Sequence, residues 1–253
     1  MKNLIYPGVC RLHDVYMTEA YAYLVMELVA GRELFELVKE SQELSEARAR
    51  NIFSQLVTAV QYLHSMGTIH NDLKLENVLI NEDDDITLID FGHASRIDNA
   101  SFKPGIPTLE YVAPELLVFG EFTEKVCSLF SSLFTRTHLN ILLFLQSDIW
   151  SLGIVLYIMV LGYFPFHGTD ESIRKQIIES KPKFTRDKIG KDCRDLIKRM
   201  LCKDPKERIT LEEVKNHPWF LQGLAHYTEP ESEQQQQQSE IEPPLLKPFL
   251  YKA

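Results

Sequence analysis

The stretch Ile149–Phe166, IWSLGIVLYIMVLGYFPF, constrains this chain more than any other. Its apolar residues fall on every side of a helix and are broken only by Ser151, Gly153 and Gly162. A helix with no polar face has to be surrounded, by lipid or by protein. The run is short for a bilayer crossing, which takes about 20 apolar residues. It is therefore expected at the centre of a helical layer, with no membrane anchor. The chain of 253 residues is long enough to build that layer, in one large domain or two small ones. Its 45% hydrophobic and 25% charged residues are those of an ordinary globular protein.

The periodicities around this run predict a mixed fold. GVCRLHDVY and AYAYLVMEL, separated by the polar MTEA, read as a β-hairpin. Leu34, Leu37 and Val38 then fall at helical spacing, and Ser45–Gly67 reads as a long amphipathic helix capped by Ser45 and stopped by Gly67. Short strands are expected at ENVLI and DITLIDFG around the acidic turn NEDDD. After Asp148 the pattern is helical: Ile149–Val160, Glu171–Ile178, Asp192–Leu201 and Leu211–Asn216, the last closed by PWF. From 223 on, five consecutive glutamines (Gln234–Gln238), scattered glutamates and Pro243-Pro244 predict a disordered polar tail. The net charge of -9 argues against nonspecific nucleic-acid binding and fits partners carrying positive charge. Cys10, Cys127, Cys193 and Cys202 form no C-x-x-C pair and no metal spacing, and the first ten residues lack an apolar signal core. Reduced thiols and an intracellular location, cytoplasmic or nuclear, are expected.

TIHNDLKLENVLI, residues 68–80, sets a His, two acids, a Lys and two Asn among apolar residues. The order His70-x-Asp72-x-Lys74-x-x-Asn77, then Asp90-Phe91-Gly92, then Ala113-Pro114-Glu115 resembles the catalytic loop, metal-binding loop and activation-segment end of eukaryotic protein kinases. The resemblance runs from about Tyr6 to Leu221. It implies an α+β, protein-kinase-like fold, mainly the helical large lobe with a two-strand remnant of the small-lobe sheet. Residues 1–29 would be that remnant with the hinge, and 30–222 the large lobe. The implied reaction moves the γ-phosphate of ATP to a protein hydroxyl, which calls for alignment and charge neutralisation. Asp72 would take or orient the hydroxyl proton, Lys74 would sit against the transferring phosphate, and Thr108 would tie the activation segment to both. Asn77 and Asp90 would offer oxygens to Mg²⁺. Met26 would lie behind the adenine, the backbones of Glu27 and Val29 would meet its edge, and Leu79 would be its floor. Glu33 would meet the ribose or a substrate arginine, and Glu76 further basic residues. The same likeness pairs Glu115 with Arg208, braces the catalytic loop on Asp148, and stacks Leu12, His70 and Phe91. Lys74 favours serine/threonine over tyrosine substrates. GRELFELV, DLKLENVLI and NHPWF resemble the calcium/calmodulin-dependent and AMP-activated kinase group, which implies substrates with a basic residue before the phosphoacceptor.

Three departures qualify the resemblance. Asn71 stands where regulated kinases carry an arginine that pairs with a phosphate on the activation segment, so phosphorylation of Ser95, Ser101 or Thr108 is expected to be a weak switch. No two of the eleven glycines are separated by a single residue, so no G-x-G-x-x-G exists, and no V-A-I-K strand is present. The chain reads as starting near the fourth small-lobe strand, a truncation expected to leave little or no kinase activity. Finally, the 21 residues Val126–Gln146 interrupt GEFTEK…SDIWSLG and contain no glycine, proline or acid. They read as a retained intron translated in frame, or else as a genuine insertion that would form a surface loop before Asp148. Three functions compete: a serine/threonine kinase, a noncatalytic large-lobe binding module, and a small-molecule phosphotransferase. TLEYVAPE and the helices through NHPWF weigh against the third.

Overall fold

The all-apolar run lies within a 24-residue helix, His138–Leu161, of a computed structural model. It describes residues 2–97, 108–121, 138–184 and 189–222, with the backbone alone at 118–121 and 138–142. In chain order the elements are β1 (Leu12–Met17), β2 (Ala22–Met26), β3 (Arg32–Glu33), α1 (Leu34–Ser41), α2 (Glu46–Ser65), β4 (Thr68–Ile69), β5 (Val78–Ile80), β6 (Ile86–Leu88), β7 (Ser95–Arg96), α3 (Pro114–Glu121), α4 (His138–Leu161), α5 (Asp170–Glu179), α6 (Lys191–Met200), α7 (Leu211–Lys215) and α8 (Pro218–Leu221). Single 3₁₀ turns stand at Leu75–Asn77 and Leu109–Tyr111.

Helix α4 is the axis of the core. Trp150, Leu152 and every residue from Ile154 to Leu161 are buried, and α2 and α6 pack against it. By length and composition alone Leu143–Leu161 could cross a membrane, but 83% of that window is buried inside the protein. The expectation that this segment is too short to span is thus corrected, because the helix starts eleven residues before Ile149. Its first nine residues are the end of the Val126–Gln146 block, which is helical there and not the surface loop expected of an insertion. Leu143 is buried and Phe144 packs on the core. The physical reason is composition: without glycine, proline or acid, nothing in the block stops a helix running into Asp148. Residues 126–137 lie outside the described set, as does the tail from 223.

The end of α4 is closed by contact rather than by a polar cap. Gly162, at φ 79°, follows it, and a Cβ there would stand 1.7 Å from the Gln42 carbonyl oxygen. The α1–α2 connection crosses at this point, with Leu44 N–H donating to Met159 O at 2.7 Å. Gly162→Ala is expected to cost roughly 3 kcal/mol or more, since both backbone conformation and space exclude a side chain. Urea unfolding measures this; a loss below about 1 kcal/mol would show that the 42–45 loop simply moves aside.

Helix α2 follows the sequence closely. Ser45 accepts from Arg48 N–H as N-cap, the face Ala49, Ile52, Phe53, Leu56, Val57, Val60 and Leu63 is buried, and Gly67 takes a positive φ after the last turn. The closing PWF forms a separate short helix, α8. There His217 caps by accepting from Trp219 N–H, with Pro218 at the first turn.

Strands order as β1-β2, β3-β5-β6 and β4-β7, all antiparallel pairs. The α+β architecture expected from the resemblance is what is observed. Hairpin β1–β2 turns at Thr18–Tyr21, where Thr18 N–H donates to Tyr21 O at 2.8 Å. It is anchored through residues 8–10: Cys10 N–H donates to Leu88 O and Leu88 N–H to Gly8 O. Beyond that anchor Tyr16, Met17, Tyr23, Leu24 and Met26 are exposed, and among the described residues neither outer edge of the hairpin pairs with another strand.

Candidate active site

The β5–β6 hairpin supplies the frame. The 3₁₀ turn with Asn77 enters β5, Asp90-Phe91-Gly92 leaves β6, and Ile89 N–H donates to Asn77 O at 2.8 Å, holding the two ends side by side. The loop before β5 is held from below by α4. Asp148, the residue just before the apolar run, accepts from His70 N–H at 3.0 Å and Asn71 N–H at 2.9 Å. His64 Nε2, from the last turn of α2, lies 2.7 Å from the same carboxylate. Two backbone amides that no helix or sheet serves thus find a charged acceptor.

His70 is fully buried. Its Nδ1 accepts from Asp72 N–H at 3.3 Å while Nε2 faces Ile89 O at 3.2 Å, so the proton sits on Nε2. Desolvation pushes this imidazole below its ordinary pKa, and the neutral ring acts as a spacer. It packs on Phe91 with ring centroids 5.0 Å apart. Phe91 and Leu12 line one cavity of about 650 Å³. Of the three residues placed together by the resemblance, His70 and Phe91 are in ring contact and Phe91 shares a cavity wall with Leu12.

Asp72, Lys74, Thr108 and Asn77 converge. Lys74 Nζ lies 2.9 Å from Asp72 Oδ2 and donates to Thr108 Oγ1 at 3.1 Å. Asn77 Nδ2 donates to Asp72 O at 2.8 Å and Oδ2 at 3.1 Å. Oδ2 is therefore shared by two donors, while the described residues give Oδ1 no hydrogen bond. That geometry leaves one carboxylate oxygen for a hydroxyl proton, with a cation beside it.

The same bonds decide which way Asn77 faces. With its amide hydrogens directed to Asp72, its carbonyl oxygen is the group left to present. Asp90, exposed and at φ 56°, uses Oδ1 to accept from Gly92 N–H at 3.0 Å, leaving Oδ2 open. Among the described residues no cluster of three or more His, Cys, Asp or Glu could hold a metal by itself. Two protein oxygens do fit Mg²⁺, which keeps several waters and takes further oxygens from phosphates.

On the nucleotide side, β3 and β5 place Glu33 directly across from Leu79, so this acid and the expected adenine floor share one strand pair that continues from Asn77. Met26 closes β2 opposite Leu12, and Glu27 N–H donates to Arg11 O at 2.8 Å. The strap then lies open: Met26 is exposed, Leu28 is 89% exposed, and Val29 is half-buried. Glu76 accepts from Tyr111 OH at 3.3 Å, a bond that ties it to the segment before α3. Burial and the Glu76 charge push the Tyr111 phenol well above its ordinary pKa, so it stays a donor.

Further out, Arg208 meets Glu115 through two bonds, Nη1–Oε1 at 2.6 Å and Nη2–Oε2 at 2.8 Å, both side chains almost fully enclosed. Ser101 lies outside the described residues. The bonds of His64 and Tyr111 were not legible in the sequence: a histidine in the last turn of an amphipathic helix reads as a charge near the dipole. Nothing local directs it to an aspartate 84 positions away.

Residues 1–220 match the family described as protein kinase domain. Among curated proteins, serine/threonine-protein kinase SAPK1 of Oryza sativa subsp. japonica is 36% identical over 236 residues, covering 88% of this chain. Serine/threonine-protein kinase SRK2C of Arabidopsis thaliana and an abscisic acid-inducible protein kinase of Triticum aestivum are each 34% identical over 234 residues, again 88% of the chain. The chain spans 62% of the length of the first and second of these and 64% of the third. The catalytic-loop geometry and these likenesses agree: the chain belongs to the protein kinase family, with serine/threonine-protein kinases as its relatives.

Proposed function

We propose that this chain carries the catalytic and peptide-binding part of a serine/threonine protein kinase of the calcium/calmodulin-dependent and AMP-activated group. The observation that supports this best is the Asp72–Lys74–Thr108–Asn77 constellation, with one Asp72 oxygen open. The substrate hydroxyl is held at Asp72 Oδ1, and its proton passes to Asp72 as its oxygen bonds the γ-phosphorus and the bond to the β-phosphate oxygen breaks. Lys74 offsets charge on the equatorial oxygens, and Thr108 keeps Lys74 aligned. Mg²⁺, when bound by Asn77 and Asp90, neutralises the phosphates. Met26, Glu27, Val29 and Leu79 bind the adenine, and Glu33 with Glu76 favours substrates with basic residues before the phosphoacceptor. The half-buried or buried, unpaired Cys10, Cys193 and Cys202 suit an intracellular location.

Transfer by this chain alone is expected to be slight, because the exposed strap at Met26–Leu28 has no glycine-rich cover in this sequence. The test therefore supplies one: the small-lobe residues of the rice relative are joined ahead of this chain and assayed with Mg·ATP and an arginine-containing serine peptide. Transfer is expected, and Asp72→Asn should lower kcat by about 10² to 10⁴ with little change in peptide KM. A fusion that binds ATP but transfers nothing would instead support the noncatalytic binding module. In the active fusion, Ser101→Asp should change the rate less than about threefold, because no arginine at position 71 receives the added charge; strong activation would refute the weak-switch reading.

A further inference from the structure

Asn71 has a task that neither the proton, phosphate nor metal roles absorb. Its backbone sits at φ 64°, a conformation that asparagine tolerates. Its side-chain amide donates to His93 O at 2.9 Å and to Ser95 Oγ at 2.9 Å. Ser95 opens β7, whose partner β4 ends two residues before Asn71, with Ile69 opposite Ser95. Just beyond, Ile97 N–H donates to Gly67 O at 2.9 Å. The amide's remaining oxygen, Asn71 Oδ1, is buried without a hydrogen-bond partner.

We propose that Asn71 and Ser95 form an uncharged clasp that fixes the start of the activation segment to the catalytic loop without any phosphate. The proposal rests on the kinase reading of residues 90–108. An arginine at this place would carry a charge needing an anion; the amide spends its donors on neutral oxygens already in the chain. The clasp itself disfavours an anion, although Lys2 and Arg96 line a cavity beside Ser95. The orphan Oδ1 presents the negative end of a dipole, and Asp72, Asp90 and Asp148 all act electrostatically on the adjacent His70. A phosphate on Ser95 would add roughly 1.5 to 2 negative charges to that cluster and push the clasp apart. Asn71 is thus a positioning residue: it touches neither nucleotide nor hydroxyl, but sets where the segment carrying Thr108 begins.

Hydrogen exchange on the full chain tests this, with the amides of Ile97 and Ser95 as reporters. Asn71→Gly keeps the positive φ and deletes the amide, separating the bonds from backbone strain. It should speed exchange at these reporters on the order of tenfold, with α2 and α4 amides unchanged. Ser95→Ala should give a smaller increase, and the double variant should match Asn71→Gly, because the Ser95 bond is already lost. Should Asn71→Gly not fold, Asn71→Asp reports instead, since a carboxylate facing His93 O cannot donate and should also speed exchange. Unchanged reporters in every folded variant, or strictly additive effects, would overturn the clasp. Inorganic phosphate should leave the wild-type rates unchanged; slowing by phosphate would overturn the phosphate-free clause. Exchange needs no turnover, so an inactive fusion protein and a failed clasp are separate results.

Discussion

Glu115→Ala is expected to cost about 3–5 kcal/mol of folding stability. The two-pronged contact with Arg208 sits where neither side chain sees solvent: their exposures are 5% and 0%. Removing the carboxylate leaves a guanidinium buried in place. Arg208 Nε keeps its bond to Cys202 O at 3.0 Å, and Nη1 keeps the Gln146 carbonyl, but two charge-assisted bonds vanish. The guanidinium also stands 5.3 Å from the Trp150 ring, so it cannot swing out without disturbing the core helix. Urea unfolding of the full chain measures the loss. The informative companion is Glu115→Leu with Arg208→Met, which removes both charges and should recover most of it. A double variant as unstable as Glu115→Ala would mean that packing around Trp150, not the ion pair, carries the energy.

Asp148→Ala should be nearly as costly and should show its effect at a distance. The carboxylate is 1% exposed and serves the amides of His70 and Asn71 together with His64. Each buried N–H left unserved costs about 1–3 kcal/mol, so a total of roughly 3–5 kcal/mol is expected. Asp148→Asn keeps one acceptor oxygen but turns an NH₂ toward the other donor, and should fall between alanine and wild type. Because both amides belong to the loop that ends in Asp72, exchange protection at His70 and Asn71 should drop well below the global stability. Protection that falls only in step with global unfolding would mean the loop is held by its apolar neighbours Ile69 and Leu73 instead.

Much of this arrangement was legible in the sequence because local chemistry and long-range order agree there. Ser45, Gly67 and the apolar face of α2 announce their own helix, and the acidic turn between β5 and β6 announces its hairpin. The Asp72, Lys74 and Asn77 set was readable as a group because its spacing places all three on one short loop. Two kinds of feature resisted. Strands of two residues, β3, β4 and β7, have no period to detect, and they are strands only because a partner lies opposite. Bonds such as His64–Asp148 and Asn71–Ser95 join positions whose neighbours in sequence give no hint of the meeting. The start of α4 was misplaced for a different reason: the break in the kinase pattern at Val126–Gln146 suggested a loop, whereas helix formation follows composition and is blind to where a family pattern resumes.

The bond from Arg208 to Gln146 has a further meaning. It reaches a main-chain carbonyl, and the Gln146 side-chain oxygen, itself buried, is left without a partner. Any amino acid other than the one present would offer the same carbonyl in the same helical turn. The anchor therefore recognises the path of the chain and not its lettering. A polypeptide in which Lys125 ran directly into Ser147 would place a different residue beside Arg208 and lose nothing of that contact, provided the turn before Asp148 stayed helical. Tethering through the backbone frees this contact from the identity of residue 146, although the side chain there is buried, whereas two residues further along the catalytic loop depends on the Asp148 carboxylate itself.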